Sequence, residues 1–347
     1  MTDSGVDVTL LSVGADLPYF TGYEAMASER LTVLVVTPAS GPVMFIPQLE
    51  APRVTANHVE VRAWDELEDP VDLAASLANS PGRIAVGDHM WSLFLTRFQK
   101  RWAGADWVPA STLTSPMRLL KDAEEIDLMR RAAHAVDRVM AMIPDGLRFS
   151  GRSEAQVARN LAELTVAEGH DEAAFTIVAS GPNGASPHHH PGDRVMGEGD
   201  LVVCDFGGRL GGYYSDSTRT FVVGMPSRHQ LEVHAAVAAA NEAGRSAVAP
   251  GVPCQEIDRA ARAVIDQAGF GEFFIHRTGH GIGLEVHEHP YMVEGNDQIL
   301  QRSMTFSVEP GIYMPDELGV RIEDIVVCTD EGPDSLNRAS RELTTVA

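Results

Sequence analysis

The sequence predicts a mixed α/β (α+β) protein of two domains. A smaller N-terminal α/β domain is expected over residues 1–113, and a larger domain with internal pseudo-twofold symmetry over 117–347. Three observations carry this expectation. The chain has 347 residues, and at roughly 100–200 residues per domain that length suggests about two. Apolar side chains make up 44% and charged ones 22%, a balance that supports a packed core and excludes disorder, collagen and coiled coil as the main organisation. In the second half a helix–strand pattern returns after about a hundred residues, the mark of an internal repeat.

Taken in chain order, residues 8–13, 31–37 and 42–46 read as strands, because they are rich in β-branched residues and bounded by Gly or Pro. Residues 72–78 and 91–102 read as helices. The Ser/Thr/Pro-rich stretch 110–116 is the expected domain boundary. A long amphipathic helix follows: Ile126, Met129, Ala133, Val136, Met140 and Ile143 recur at steps of three and four. Pro144-Asp145-Gly146 is expected to stop it. The first copy of the repeat then has a helix over 153–168, an ending glycine at Gly169 and a strand over 175–179. The second has a helix over 255–267, an ending glycine at Gly269 and a strand-like segment over 273–275. In each copy a His-Pro element precedes a strand that reaches an acid, Pro187-His188 before Asp205 and His287-Glu288-His289-Pro290 before Glu309. A shared site is expected at the junction of the copies.

Charge and cysteine usage narrow the function. Acidic side chains outnumber basic ones 49 to 27, a formal charge of -22. That field repels phosphate backbones and anionic lipid, so no nucleic-acid or membrane partner is expected. Divalent cations are not repelled. Cys204, Cys254 and Cys328 form no C-x-x-C pair, which argues against a disulfide framework or a thiolate zinc site. The start of the chain shows neither a basic leader nor a signal-length apolar run, and no run reaches the roughly 18 apolar residues of a membrane span. A cytoplasmic location is expected.

Five positions break the hydrophobic pattern. Asp205 ends the apolar run Leu201-Val202-Val203-Cys204, Asp216 opens a strand pattern, Glu309 ends another before Pro310-Gly311, and Glu323 lies inside the apolar run over 320–327. His280 sits between Gly279 and Gly281. A carboxylate buried without a partner is costly, so four of them on strands imply an offsetting cation. Any one of these acids could instead cap a turn or pair with Arg219 or Arg321. Together, four carboxylates and one imidazole make a hard donor set suited to Mn²⁺ or Co²⁺ and tolerant of Zn²⁺, but not to copper or iron–sulfur clusters. Five side chains exceed the needs of one tetrahedral ion and match two ions that share bridging carboxylates. Gly279-x-Gly281-x-Gly283 is not followed by a helix pattern, so it is not read as a phosphate loop.

These residues resemble the pita-bread metallopeptidases, most closely the Xaa-Pro dipeptidase (prolidase) and aminopeptidase P branch. The resemblance rests on Cys204-Asp205-Phe206-Gly207-Gly208, Tyr213-Tyr214-Ser215-Asp216-Ser217-Thr218-Arg219-Thr220, Gly279-His280-Gly281-Ile282-Gly283, Val308-Glu309-Pro310-Gly311 and Val320-Arg321-Ile322-Glu323-Asp324. It is strong from about Arg118 onward. It is weaker before, where Tyr19-Phe20-Thr21-Gly22-Tyr23 is similar to a family stretch. It implies a creatinase-like N-terminal domain and a pita-bread catalytic domain. It also implies two divalent ions, with Asp205 on one, Asp216 and Glu323 bridging, and His280 and Glu309 completing the second. A water or hydroxide would be the nucleophile, with Glu309 a candidate base. His188 and His287 would contact the substrate and the developing oxyanion.

Tyr213 is expected to line the site and Arg321 to pair with a ligand carboxylate, although both positions also fit ordinary packing. His189 and His190 are expected to face solvent. Prolidases often carry a basic residue four positions after the His287 equivalent; here it is Tyr291, which leaves strict dipeptide specificity less secure. The implied function is hydrolysis of Xaa-Pro bonds, first in dipeptides, with aminopeptidase P activity on longer peptides as the near alternative. A metal-free amidinohydrolase and a catalytically dead binding protein are remote alternatives, since both would have lost the five ligands. A homodimer is implied by the same resemblance.

Overall fold

A computed structural model describes Met1 and residues 4–347. The chain divides into two compact units, Met1–Arg118 and Leu119–Ala347. Among the described residues, no helix is long and apolar enough to cross a membrane.

The first unit contains β1 (Val8–Leu11), α1 (Asp16–Thr21), β2 (Val33–Thr37), β3 (Gly41–Pro47), β4 (Glu60–Trp64), α2 (Pro70–Ala75), β5 (Arg83–Val86), α3 (Ser92–Arg101), β6 (Asp106–Pro109) and α4 (Ser111–Arg118). Six strands form one mixed sheet in the order β4-β3-β2-β1-β5-β6. Strand side chains alternate between faces. Accordingly Val8, Leu10, Val33, Val35, Val43 and Phe45 enter one core cluster, and Leu11, Leu34, Met44 and Ile46 enter another. Both faces are covered, so the strands read as continuous apolar runs. The Ser/Thr/Pro-rich boundary stretch lies in the first unit and is largely helical, as α4. Asp16 accepts hydrogen bonds from the Thr114 hydroxyl at 2.9 Å and from Arg118 at 2.9 Å, tying that helix to α1.

The second unit begins with α5 (Ala123–Gly146), α6 (Glu154–Ala167), β7 (Glu172–Ser180), β8 (Leu201–Leu210), β9 (Tyr213–Tyr214), β10 (Ser217–Val223), α7 (Arg228–Ser246) and α8 (Cys254–Gln267). It continues with β11 (Gly279–Gly281), β12 (Glu288–Met292), β13 (Thr305–Val308), β14 (Gly311–Met314), β15 (Leu318–Arg321), β16 (Asp324–Thr329), β17 (Gly332–Ser335) and β18 (Thr344–Val346). One sheet runs β18-β10-β8-β7 with β9 paired to β8; another runs β12-β11-β13-β16-β17; β14 and β15 form a separate ribbon. Capping boxes start three helices: Asp122 with Glu125, Ser153 with Gln156 and Ser227 with Gln230.

The repeat is present bond for bond at the two helix starts. Gly151 N donates to Met196 O, Glu154 N to Arg194 O and Ala155 N to Gly192 O. In the second copy Gly251 N donates to Leu300 O, Cys254 N to Gln298 O and Gln255 N to Asn296 O. The ending glycines match too, Gly169 at φ +115° and Gly269 at φ +85°, a left-handed conformation that glycine adopts without a Cβ penalty.

Three local expectations are corrected. The long helix runs through Pro144 and ends after Gly146. In the last turn, the proline's missing N–H removes one bond, and Leu147 N still closes onto Ile143 O. Residues 273–275 are not a strand. A 3-10 turn spans Gly271–Phe273, and Arg262 takes the carbonyls of Phe274 and His276, at 2.8 and 2.9 Å, that a ladder would have used. The run over 320–327 is two strands. β15 pairs with β14 and β16 with β13, and the chain changes sheets at Ile322-Glu323.

The 3-10 turn Gly181–Ala185, which leads to His188, packs on β15. There Gly184 and Gly319 approach backbone to backbone, and a Cβ on Gly319 would collide with the Gly184 carbonyl. Gly319→Ala is therefore expected to destabilise the protein by about 1–3 kcal/mol. Thermal unfolding checks this, and an unchanged Tm would contradict so close an approach.

Candidate metal centre

The carboxylates converge because strands from both halves present them to one place. Asp205 and Thr218 are direct partners on β8 and β10, so their side chains leave the same face of that sheet. Asp216 lies one residue before β10, and Glu309 one residue after β13. Glu323 sits where the chain leaves β15 for β16. There its N–H donates to Thr218 O at 3.1 Å, and its side chain accepts from the Thr218 hydroxyl at 2.7 Å. The sheet change that interrupts the apolar run thus delivers Glu323 to the opposite half.

Ligand-type atoms of Asp216, His280 and Glu323 all lie within 4.8 Å of one another. His280 Nε2 is 3.2 Å from Glu309 Oε1 and 3.8 Å from Asp216 Oδ2. Its Nδ1 is 3.1 Å from Gly281 O. A carbonyl can only accept, so Nδ1 carries the proton and Nε2 turns toward oxygens that are themselves acceptors. That arrangement is favourable only when a proton or a cation lies between them. One oxygen each of Asp205, Asp216 and Glu323 is buried without any hydrogen-bond partner. Buried orphan acceptors are rare and costly. A divalent ion would satisfy them.

The electrostatics agree. Burial raises the pKa of Asp216 well above the ordinary carboxylate range, and the charges of Glu323, Asp205 and Glu309 raise it further. Burial likewise raises Glu323, with Glu309 and Asp205 adding to it. Burial would raise Glu309 as well, but its hydrogen bond to His280 and the electrostatic influence of His280, His276 and Arg321 bring it down to about 2. Asp324, the next residue after Glu323, provides the contrast. Arg219 at 2.7 Å and Arg341 at 2.6 Å neutralise it and hold its pKa low against the effect of burial. Two adjacent buried acids therefore differ in their cations: Asp324 is ion-paired with two arginines, whereas Glu323 feels only the charge of Arg321, which is paired with Asp205.

Arg321 ties the centre to its surroundings. It donates to Asp205 Oδ2 at 2.6 Å, to Thr218 Oγ1 at 3.1 Å, to Pro187 O at 3.4 Å and to Tyr313 Oη at 2.8 Å. His276 extends this chain. Its Nδ1 donates to Arg277 O at 2.7 Å, so its Nε2 accepts from the Tyr313 hydroxyl at 2.8 Å. His276 and Tyr313 were not readable from spacing, since their roles rest on contacts made 8 and 37 residues away in sequence.

The two histidines expected at the substrate are both exposed. His287 stands edge-on to His280, ring centroids 4.2 Å apart at 85°. Desolvation first, and the electrostatic influence of His280, Arg277 and His188 after it, lower His287 to about 4. His188 also acts electrostatically on His276, which places it beside the same cluster. His189 does not face solvent as expected. Its Nε2 is 2.7 Å from Glu154 Oε2, and Glu154 is fully buried. Glu154 also accepts from Ser180 N and Oγ, Asn183 Nδ2 and Gly192 N, which pins both sides of the loop that carries His188. In sequence Glu154 reads only as an acid in a helix's first turn.

Tyr213 is buried among Met129, Ala133 and Ile282, with its hydroxyl donated to Glu125 at 2.6 Å. Tyr291 lies on β12 directly across from His280.

Comparison with known proteins follows this geometry. The model for metallopeptidase family M24 matches residues 127–330, and that for the creatinase/prolidase N-terminal domain matches 1–120. The chain is 44% identical over 351 residues to the probable dipeptidase PepE of Mycobacterium tuberculosis, covering 99% of this chain and 93% of that one. It is 34% identical over 356 residues to the Xaa-Pro dipeptidase of Lactobacillus helveticus, at 99% and 96% coverage. The crystal structure of recombinant prolidase from Thermococcus sibiricus superposes with a TM-score of 0.95 at 36% identity, covering 99% of this chain and 96% of that chain.

Proposed function

The chain belongs to metallopeptidase family M24, and from that premise we propose that it hydrolyses the Xaa-Pro bond of dipeptides with two divalent ions. Asp205, Asp216, His280, Glu309 and Glu323 would hold them, with Asp216 and Glu323 bridging. The observation that carries this reading is the buried set of carboxylates from both halves whose spare oxygens have no partner. When bound, the ions supply Lewis-acid polarisation of the carbonyl and activation of water. The hard donor set favours Mn²⁺, with Co²⁺ or Zn²⁺ as alternatives.

The chain's own residues do the rest. Glu309, held ionised, can accept a proton from the attacking water. His287, neutral at pH 7, offers an N–H to the oxygen that gains charge in the transition state, and His188 flanks it from the other half. Arg321 fixes Asp205 and, through Pro187, the His188 loop. A bond to proline is a tertiary amide with no N–H, so recognition falls on the ring and the two ends of the substrate, and the acids favour the ammonium end. A homodimer is proposed on family likeness. A cytoplasmic location is proposed on three buried free cysteines and the absence, among the described residues, of a membrane-length apolar helix.

Aminopeptidase P activity on longer peptides is the second reading, favoured by Tyr291 where a basic residue would hold a dipeptide's carboxylate. The test is turnover of Ala-Pro, Ala-Pro-Ala and Ala-Ala after chelator dialysis, with and without Mn²⁺, Co²⁺ or Zn²⁺. Metal-dependent turnover highest on Ala-Pro is expected. Faster turnover of Ala-Pro-Ala would select the second reading. Full activity in the chelated protein would reject both.

A further inference from the structure

An Xaa-Pro dipeptide brings a carboxylate to a centre already crowded with acids. Holding it there needs a cation that no other carboxylate has taken. Most cations around the centre are taken. Arg321 is paired with Asp205, Arg219 with Asp324, Lys121 with Glu288 and Arg262 with Asp258.

Arg277 differs. Among the described residues no carboxylate lies within ion-pair distance of it. Its guanidinium instead sits 4.1 Å from the centroid of the Tyr291 ring. Tyr291 and His280 are direct partners across β11 and β12, so their side chains project from the same face of the sheet. The backbone beside Arg277 is fixed. Thr278 N donates to Met292 O at 3.0 Å and to Asp258 Oδ1 at 3.0 Å, and His276 Nδ1 donates to Arg277 O. A guanidinium stacked on an aromatic ring is weakly hydrated, and its N–H edge remains open to fork a carboxylate.

We propose that Arg277, carried on the face of Tyr291, anchors the C-terminal carboxylate of the dipeptide and makes the enzyme selective for it. This rests on the dipeptidase reading above. Tyr291 is then not a lost anchor but the shelf on which a cation from the segment leading into β11 is held.

The test is steady-state hydrolysis of Ala-Pro and its uncharged amide by the metal-loaded wild type, R277Q, R277K and Y291L. Thermal unfolding and circular dichroism are recorded for each protein. R277Q is expected to lower the ratio of kcat/KM for Ala-Pro over the amide by about 10- to 100-fold, mainly through KM. R277K, which keeps the charge without the fork, recovers part of that ratio. Y291L, which removes the shelf, gives an intermediate loss. An equal loss on both substrates in R277Q would mark a merely structural residue and overturn the proposal. An unchanged ratio in R277Q with a wild type that prefers Ala-Pro over Ala-Pro-Ala would overturn the anchor alone. A wild type that prefers Ala-Pro-Ala would remove the dipeptidase reading and the anchor with it.

Discussion

Glu323→Gln is expected to lower turnover of Ala-Pro by at least about a thousandfold, while the metal-free variant unfolds at a higher temperature than the metal-free wild type. The first effect follows from the proposed bridging role: a neutral amide would replace an oxygen donor to ions that supply most of the activation. The second follows from the cluster itself. Glu323 is buried with Glu309 and Asp205 as like-charged neighbours, and its Oε1 has no partner. The amide removes an acid that must either ionise among like charges or hold a proton against its ordinary pKa, keeps the shape and can still accept from Thr218. An ordinary destabilising substitution would move stability the other way. Stopped activity assays and calorimetry on dialysed proteins check both. Near-normal turnover would reject the bridging role, and a lower metal-free Tm would show that the carboxylate contributes to the fold without its cation.

The second large effect is on stability. Mn²⁺ at about a hundred times its Kd is expected to stabilise the protein by about 2.7 kcal/mol. For the second unit that corresponds to a rise in Tm of about 5–10 °C. The gap between loaded and metal-free protein is expected to widen as pH rises. Asp216 and Glu323 have folded pKa values above their unfolded ones. Between the ordinary carboxylate value and the raised one, the native metal-free state therefore binds more protons than the unfolded chain and loses stability as pH rises. A cation must displace those protons, so its own contribution grows over the same window. His170, His234, His276 and His287 all have lowered pKa values and so shift stability upward with pH through the ordinary histidine range. Their contribution largely cancels in the loaded-minus-free difference. A difference that stays flat or shrinks with rising pH would contradict protonated, cation-ready acids.

The candidate ligand positions stand out in the sequence because acids interrupt the apolar pattern there. Asp205, Asp216, Glu309 and Glu323 occupy or adjoin strands where an apolar residue would be the ordinary choice, and such violations mark function. The two helices of the repeat were legible from their matching helix–strand order and their ending glycines. Other features depended on contacts that no local pattern encodes. β4 is exposed at four of its five positions, so it carries no alternation to read. The break at Ile322-Glu323 falls inside a run that reads as one strand, and it is accompanied by a bond to Thr218 more than a hundred residues earlier. His189 looked solvated beside two other histidines; its partner Glu154 lies 35 positions away. The stack of Arg277 on Tyr291 needs the register of β11 and β12, which single-sequence reasoning does not supply.

The donors are drawn from both copies of the repeat, with Asp205 early and Glu323 arriving only where the chain switches between sheets. Synthesis proceeds from the N-terminus, so the cage cannot close around an ion until the later copy has been made and has docked on the earlier one. On the proposed ligand set, metal loading would follow the docking of the later copy, and with donors that accept several ions the one installed would be decided by which is free at that point.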